Sequence, residues 1–202
     1  MYIFSAAIRR IRSTGWWFGK VAVFMIVASV AFIQPAAAEN AAYRITNSGR
    51  AHFQYHLAGI LTRGFIPIES AGLLLDLDDP ENAVIHVNFD VSKARAGNLF
   101  ATAALKEPRV LSTSIYPSAH FVSSSVLPNQ DGVLVRGQFT LRGQTRTLDL
   151  DITLAHDGRD MDEPSVLRVR GQFDRRDFGA DGYPDLVDPI IRLDFDLEIE
   201  KQ

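Results

Sequence analysis

Apolar and polar side chains alternate along most of this chain, most clearly from Val133 to Leu154. Val133, Val135, Phe139 and Leu141 share one parity while Arg136, Gln138 and Thr140 hold the other, with Gly137 as a gap. Beyond Arg142-Gly143-Gln144, Leu148, Leu150, Ile152 and Leu154 alternate with Thr147, Asp149, Asp151 and Thr153. A period of two puts one set on a buried sheet face and the other in water, so the stretch predicts a β-hairpin. Residues paired across a hairpin share a face, so Leu141 needs an even-numbered partner. Either the loop has an even length or Gly143 forms a bulge, and Val135 then faces Leu150 or Ile152.

The same signature recurs on both sides of the hairpin. Tyr43-Arg44-Ile45 and a turn at Asn47-Ser48-Gly49 lead into Ala51, Phe53, Tyr55 and Leu57, which alternate with His52, Gln54 and His56. Gly64-Phe65 precedes Leu73, Leu75 and Leu77, with Pro67 and Gly72 permitting a bulge between, and Asp78-Asp79-Pro80-Glu81 turns the chain. Ala83, Ile85, Val87, Phe89 and Val91 form the next set, and Ala119 with Phe121 opens a strand running into Ser123-Ser124-Ser125. Leu167, Val169, Gly171 and Phe173 oppose Arg168, Arg170 and Gln172; Ile191, Leu193, Phe195, Leu197 and Ile199 oppose Arg192, Asp194, Asp196, Glu198 and Glu200.

The period changes only once, between Ala96 and Leu111, where an alanine-rich stretch predicts a short helix ended at Pro108. About eight one-sided strands and one helical insert imply an all-β domain, either an antiparallel sheet closed on itself or a sandwich. Phe53, Phe65, Phe89, Phe121, Phe139, Phe173 and Phe195 fall on the predicted inward faces, where they fill a solid core or line a hollow one. A barrel of about eight strands has room for one ligand.

Charge and leader change the picture next. Arg9, Arg10, Arg12 and Lys20 precede an apolar run from Val21 to Ile33 and then Pro35-Ala36-Ala37-Ala38, the order of a secretory signal cleaved after Ala38. The run is shorter than the roughly 20 residues that span a bilayer. Residues 39–202 are then one domain, expected in the periplasm. Removing the leader's four basic residues from the 21 leaves 17 against 24 acidic ones, a net charge of −7, which argues against nucleic acid as a partner. The chain has no cysteine, hence neither disulfide nor thiol chemistry.

Candidate chemistry is sparse. His52 and His56 have the spacing of a helical metal pair, but on a strand four residues span roughly 13 Å, too far to share an ion. Asp149 with Asp151, and Asp194 with Asp196, sit on the wet face. Asp157, Asp160, Asp162 and Glu163 lack the spacing of a twelve-residue calcium loop. Asp177-Phe178-Gly179 has no phosphate loop or catalytic loop before it, and no nucleophile elbow or zinc-protease helix occurs. These residues predict no metal, no catalytic group and no enzyme.

Val135-Arg136-Gly137-Gln138-Phe139-Thr140-Leu141-Arg142-Gly143-Gln144-Thr145 resembles the V-x-G-x-[LF]-T-[LI]-x-G-x-[TS] hairpin of the YceI-like family of exported proteins. Tyr116-Pro117 with Phe121, and Arg175-Arg176-Asp177-Phe178-Gly179, similar to the family's R-x-D-F-G, follow in the expected order. The resemblance implies an extended antiparallel eight-stranded lipocalin-like barrel with a short helical insert. It also implies a pore that takes the tail of an isoprenoid or other long-chain lipid, a quinone among the candidates, without a cofactor or catalytic residues. The expected lining is Phe53, Tyr55, Phe89, Phe121, Val135, Phe139, Leu150, Ile152, Phe173 and Phe195, with Leu105, Leu111 and Phe178 capping an end. The chain departs from the family at Gly49-Arg50, where His-Ser is usual, and at Ala104-Leu105, where His-Leu is common.

Two other classes stay open on the sequence: an outer-membrane barrel, whose apolar face would point outward, and an enzyme or redox accessory protein acting on a small apolar molecule. A carrier would touch membranes transiently. The oligomeric state is left open, a homodimer being one form compatible with the sequence.

Overall fold

A computed structural model describes residues 40–46, 49–76, 79–156 and 164–202. The leader, with its cleavage site, and the acidic residues Asp157, Asp160, Asp162 and Glu163 lie outside the described residues. Among the described residues are nine strands: β1 (Ala41–Ile45), β2 (Arg50–Leu57), β3 (Ile60–Leu75), β4 (Val84–Asp90), β5 (Ser118–Pro128), β6 (Gly132–Leu141), β7 (Gln144–His156), β8 (Ser165–Asp174) and β9 (Ile190–Lys201). One α-helix, α1 (Leu99–Lys106), interrupts them between β4 and β5.

The nine strands make eight staves. β1 and β2 both lie between β3 and β9, one beyond the other along the same gap. From there the sheet runs through β9, β8, β7, β6, β5 and β4 and closes by pairing β4 with the second half of β3. All pairings are antiparallel, so the fold is a closed eight-stave antiparallel barrel with one short helix.

The central hairpin resolves its own register. Leu141 pairs with Gln144 and Val135 with Leu150, leaving Arg142-Gly143 as a two-residue turn with φ of 50° and 71°. Positive φ at both positions matches the right-handed strand twist. For a non-glycine residue it costs about 1–2 kcal/mol, offset here because the Arg142 guanidinium donates to the Pro108 carbonyl at 2.8 Å. The β2–β3 turn uses the same geometry, with Ala58 at 50° and Gly59 at 78°.

The register shifts in three places, between β3 and β4, between β5 and β6, and between β7 and β8. The β3–β4 register shifts between Ile68 and Ser70, so Ile66 points inward before the shift while Leu73 and Leu75 point inward after it. Phe65, grouped by sequence with the inward phenylalanines, is therefore on the outer face. It pairs with His52, stacks on its ring at 6.0 Å and lies under the Arg50 guanidinium at 4.8 Å. A one-residue slip moves every later side chain to the opposite face.

The two ends of the barrel differ. Leu73, Leu75 and Ile199 pack one end, joined by Val126, Val135, Ile152 and Leu197 of the main cluster. At the other end the chain leaves the barrel four times, as the β2–β3 turn, as the segment carrying α1, as the Arg142-Gly143 turn and as the segment from Arg175 to Pro189. Outside, cross-strand pairs staple the wall: Arg136 to Asp149 at 2.8 Å twice, Arg168 to Asp196 at 2.7 and 3.0 Å, and Arg44 to Glu200 at 2.9 Å. Each is exposed, so water screens it and it contributes little to stability. Their position places charge outward and apolar faces inward, the reverse of a lipid-facing barrel.

Gly137 is a gap for a reason. A Cβ there would lie 2.5 Å from the Val122 carbonyl oxygen and closer still to the Phe121 ring, which covers the glycine from the adjacent strand. Gly137→Ala is expected to cost about 1–3 kcal/mol, because the backbone oxygen cannot yield as a flexible side chain would. Urea titration checks it, and an unchanged midpoint would refute the close packing.

Candidate functional site

Towards the open end the inward faces do not meet. They enclose a cavity of about 660 Å³, within the roughly 300–1,000 Å³ of small-molecule sites. The hollow has a cause in the sequence: Ala51, Ala96 and Ala119 are buried small side chains bordering it, and Ala119 pairs with Phe89 across β4 and β5.

Eight of the ten predicted lining residues, and two of the three predicted caps, come together around this space. Phe53 and Tyr55 (β2), Phe89 (β4), Phe121 (β5) and Phe139 (β6) contribute one half of the wall. Leu150 (β7), Phe173 (β8), Phe195 (β9) and Leu105 (α1) contribute the rest, and Leu111 borders it as well. Val135, Ile152 and Phe178 do not line it. Val135 and Ile152 lie in the packed end, while Phe178 is buried against Phe139 and Phe173, ring centroids 5.5 and 5.4 Å away.

Apart from the helix, Leu105 and Leu111, the roof went unread in the sequence because it has no period. Asn98 caps α1, accepting from the Ala101 backbone N–H at 2.8 Å, and Pro108 bars continuation. An eight-residue helix is marginal alone. This one rests on Ala101, Ala104 and Leu105, which face the cavity. The Ala96 N–H donates to the Thr102 hydroxyl at 3.0 Å, and the Tyr55 hydroxyl donates to the Ala96 carbonyl at 2.9 Å. Burial raises the Tyr55 pKa above its ordinary value.

Across the mouth from α1, Arg175 holds the other half of the roof. Its guanidinium is buried and donates to the backbone carbonyls of Ala180, Gly182 (2.9 Å), Val187 (2.9 Å) and Asp188 (3.1 Å). Burial pulls its pKa below the ordinary arginine value, with the charges of Asp174 and Asp181 acting the other way. The two halves meet where the Tyr183 hydroxyl donates to Glu107 at 2.8 Å and Arg109 stacks on the Tyr183 ring at 4.3 Å. That hydrogen bond, then the bond from Arg109, holds the Glu107 carboxyl below its usual range; the same hydrogen bond to Glu107, then burial, raises the Tyr183 phenol, with Arg109 acting the other way.

Asn98, Glu107, Arg175 and Tyr183 are thus the polar border of the cavity at its mouth, and the space beneath them is apolar apart from the satisfied Tyr55 hydroxyl. Glu107 and Tyr183 bond to each other and Arg175 to backbone. The arrangement holds an apolar body with a polar end at the mouth. His52 and His56 stand outside the barrel, His56 with its Nδ1 3.3 Å from Asp188.

A closed antiparallel barrel packed at one end, hollow at the other and roofed by one short helix is a lipocalin-like barrel. The sequence places it more narrowly: residues 41–199 match the YceI-like domain, and the chain belongs to that family. Among solved structures it is similar to BcnA of Burkholderia cenocepacia, with TM-score 0.67 and 18% identity over 75% of this chain and 96% of that one. The YceI protein of Campylobacter jejuni matches at TM-score 0.57 and 14% identity, over 94% of this chain and 100% of that one. A polyisoprenoid-binding domain from Saccharophagus degradans, implicated in plant cell wall breakdown, matches at 0.52 and 13%, over 80% and 99%. At these identities the likeness is one of fold. No curated protein sequence matches the chain.

Proposed function

We propose that the protein is a periplasmic binding and carrier protein for an isoprenoid or similar long-chain lipid, holding the tail in the cavity and the head at the mouth without chemistry. The observation that carries this reading is the division of the cavity into an apolar interior and a polar border. The family, the polyisoprenoid-binding relative, and a leader with the order of a cleaved signal support it.

Magnitudes select a long ligand over a short one. The 660 Å³ cavity has room for an apolar tail of several five-carbon units. About 20 carbons at ~0.8 kcal/mol each contribute about 16 kcal/mol, enough to exceed the estimated 4–15 kcal/mol cost of association. A ten-carbon chain contributes about 8 kcal/mol and falls inside that cost.

Organic-solvent extraction of the protein purified without added lipid, followed by mass spectrometry, is expected to yield a polyprenyl compound of about four or more isoprene units. An empty protein that also refuses a long polyprenol offered in detergent would overturn the proposal.

A further inference from the structure

Among the described residues, the four most exposed large apolar side chains all stand at the open end: Phe100 (86%), Leu99 (80%), Ile60 (70%) and Ile115 (67%). Scattered surface hydrophobics need no explanation, but a cluster does. Leu99 and Phe100 form the first turn of α1, and Phe100 borders the cavity. Ile60 follows the tight β2–β3 turn, and the Ala58 N–H donates to the Leu186 carbonyl at 2.7 Å, which brings half-exposed Leu186 beside it. The mouth is thereby edged with apolar side chains in water.

A second feature adjoins the first. Arg63, Arg95 and Lys106, with His52, line a shallow recess shared with Leu99, and no carboxylate lines it. None of these three cations is in an ion pair among the described residues. The recess is basic in a domain whose mature chain carries −7. Asp181, Asp185 and Asp188 are exposed after β8, and Asp188 lies against His56 on the outer face of β2.

We propose that the open end docks on the surface of an anionic phospholipid bilayer, tilted so that α1 and the β2–β3 turn lead. Leu99, Phe100 and Ile60 enter the interface, and Arg63, Arg95 and Lys106 meet the headgroups. An apolar edge flanked by cations is the pattern of interfacial membrane attachment. The inference rests on the lipid-binding reading: a long apolar tail passes from bilayer to cavity without crossing water only if the mouth opens on the bilayer.

Co-sedimentation of the processed, exported protein with vesicles of phosphatidylcholine containing phosphatidylglycerol tests it, against phosphatidylcholine alone. Binding is expected to be stronger on the anionic vesicles and to weaken with salt. Replacing both Arg63 and Lys106 by glutamine is expected to lower it by roughly tenfold or more, near fivefold per cation. Leu99→Asp with Phe100→Asp is expected to abolish it while the fold is kept, since both positions are exposed and acidic residues suit a helix N-terminus. Leu127→Asp, exposed on β5 near the packed end, serves as the control and leaves binding unchanged. No binding by the wild type to anionic vesicles, or equal binding by the Leu99/Phe100 variant, overturns the docking inference. Uptake of a polyprenol from detergent is measured in parallel, because its loss in the wild type would overturn the lipid-binding reading instead.

Discussion

Arg175→Met is expected to lower stability by at least about 3–5 kcal/mol, the range for breaking a buried charged network, and to release any bound lipid. The guanidinium satisfies four backbone carbonyls from Ala180 to Asp188. Methionine fills the same space and satisfies none, leaving each buried acceptor at a cost of about 1–3 kcal/mol. At about 2–4 °C per kcal/mol for a domain of this size, the melting temperature should fall by roughly 10 °C or more. Arg175→Lys should rescue little, because an ammonium is a point donor and the carbonyls surround a planar fork. Neighbouring Arg176→Met, which removes only an exposed pair with Asp174, should melt close to wild type. Circular-dichroism melts of the three variants decide; a stable Arg175→Met would show that the roof holds without the clamp.

The second large effect separates two residues that look alike in sequence. Leu193→Trp should leave a folded protein that carries no lipid, because Leu193 borders the cavity and the indole enters space the ligand otherwise takes. Val135→Trp should do the opposite kind of damage. Val135 is 0% exposed in the packed end, where overpacking costs about 1–3 kcal/mol and more for so large a ring. Melting curves and extractable lipid, measured together on both variants, test the pair. If Leu193→Trp retains its lipid, or Val135→Trp keeps full stability, the division of the barrel into hollow and packed ends is wrong.

Alternation was enough to read most of the strands, since a half-buried strand must repeat every two residues whatever surrounds it. It located the helix by the loss of that period, and the Arg142-Gly143 hairpin by the turn residues between two periodic arms. It misplaced Phe65, because a bulge at Ile68–Ser70 changes parity and a bulge leaves only permissive residues, not a period, as its trace. Of the roof it read only the helix, Leu105 and Leu111, and missed Ala101 and Ala104 on α1 and Tyr183, Leu186 and Val187 after β8, because loop and helix-cap residues reach the cavity by hydrogen bonds such as those of Arg175 and Tyr183 rather than by any repeat.

By itself the sequence determined that one face of nearly every strand is apolar, that the opposite face carries the charge, and that these faces need a common interior. It could not decide whether that interior is filled. Val135 and Leu193 obey the same period, yet one is sealed among Ile152, Leu197 and their neighbours while the other borders open space, a difference set by how eight staves bring large and small side chains to one level. Packing at a given height sums over residues distant in the chain, Ala51, Ala119 and Phe139 among them. Only closure of the barrel performs that sum, and so only the tertiary structure created the cavity and chose its open end.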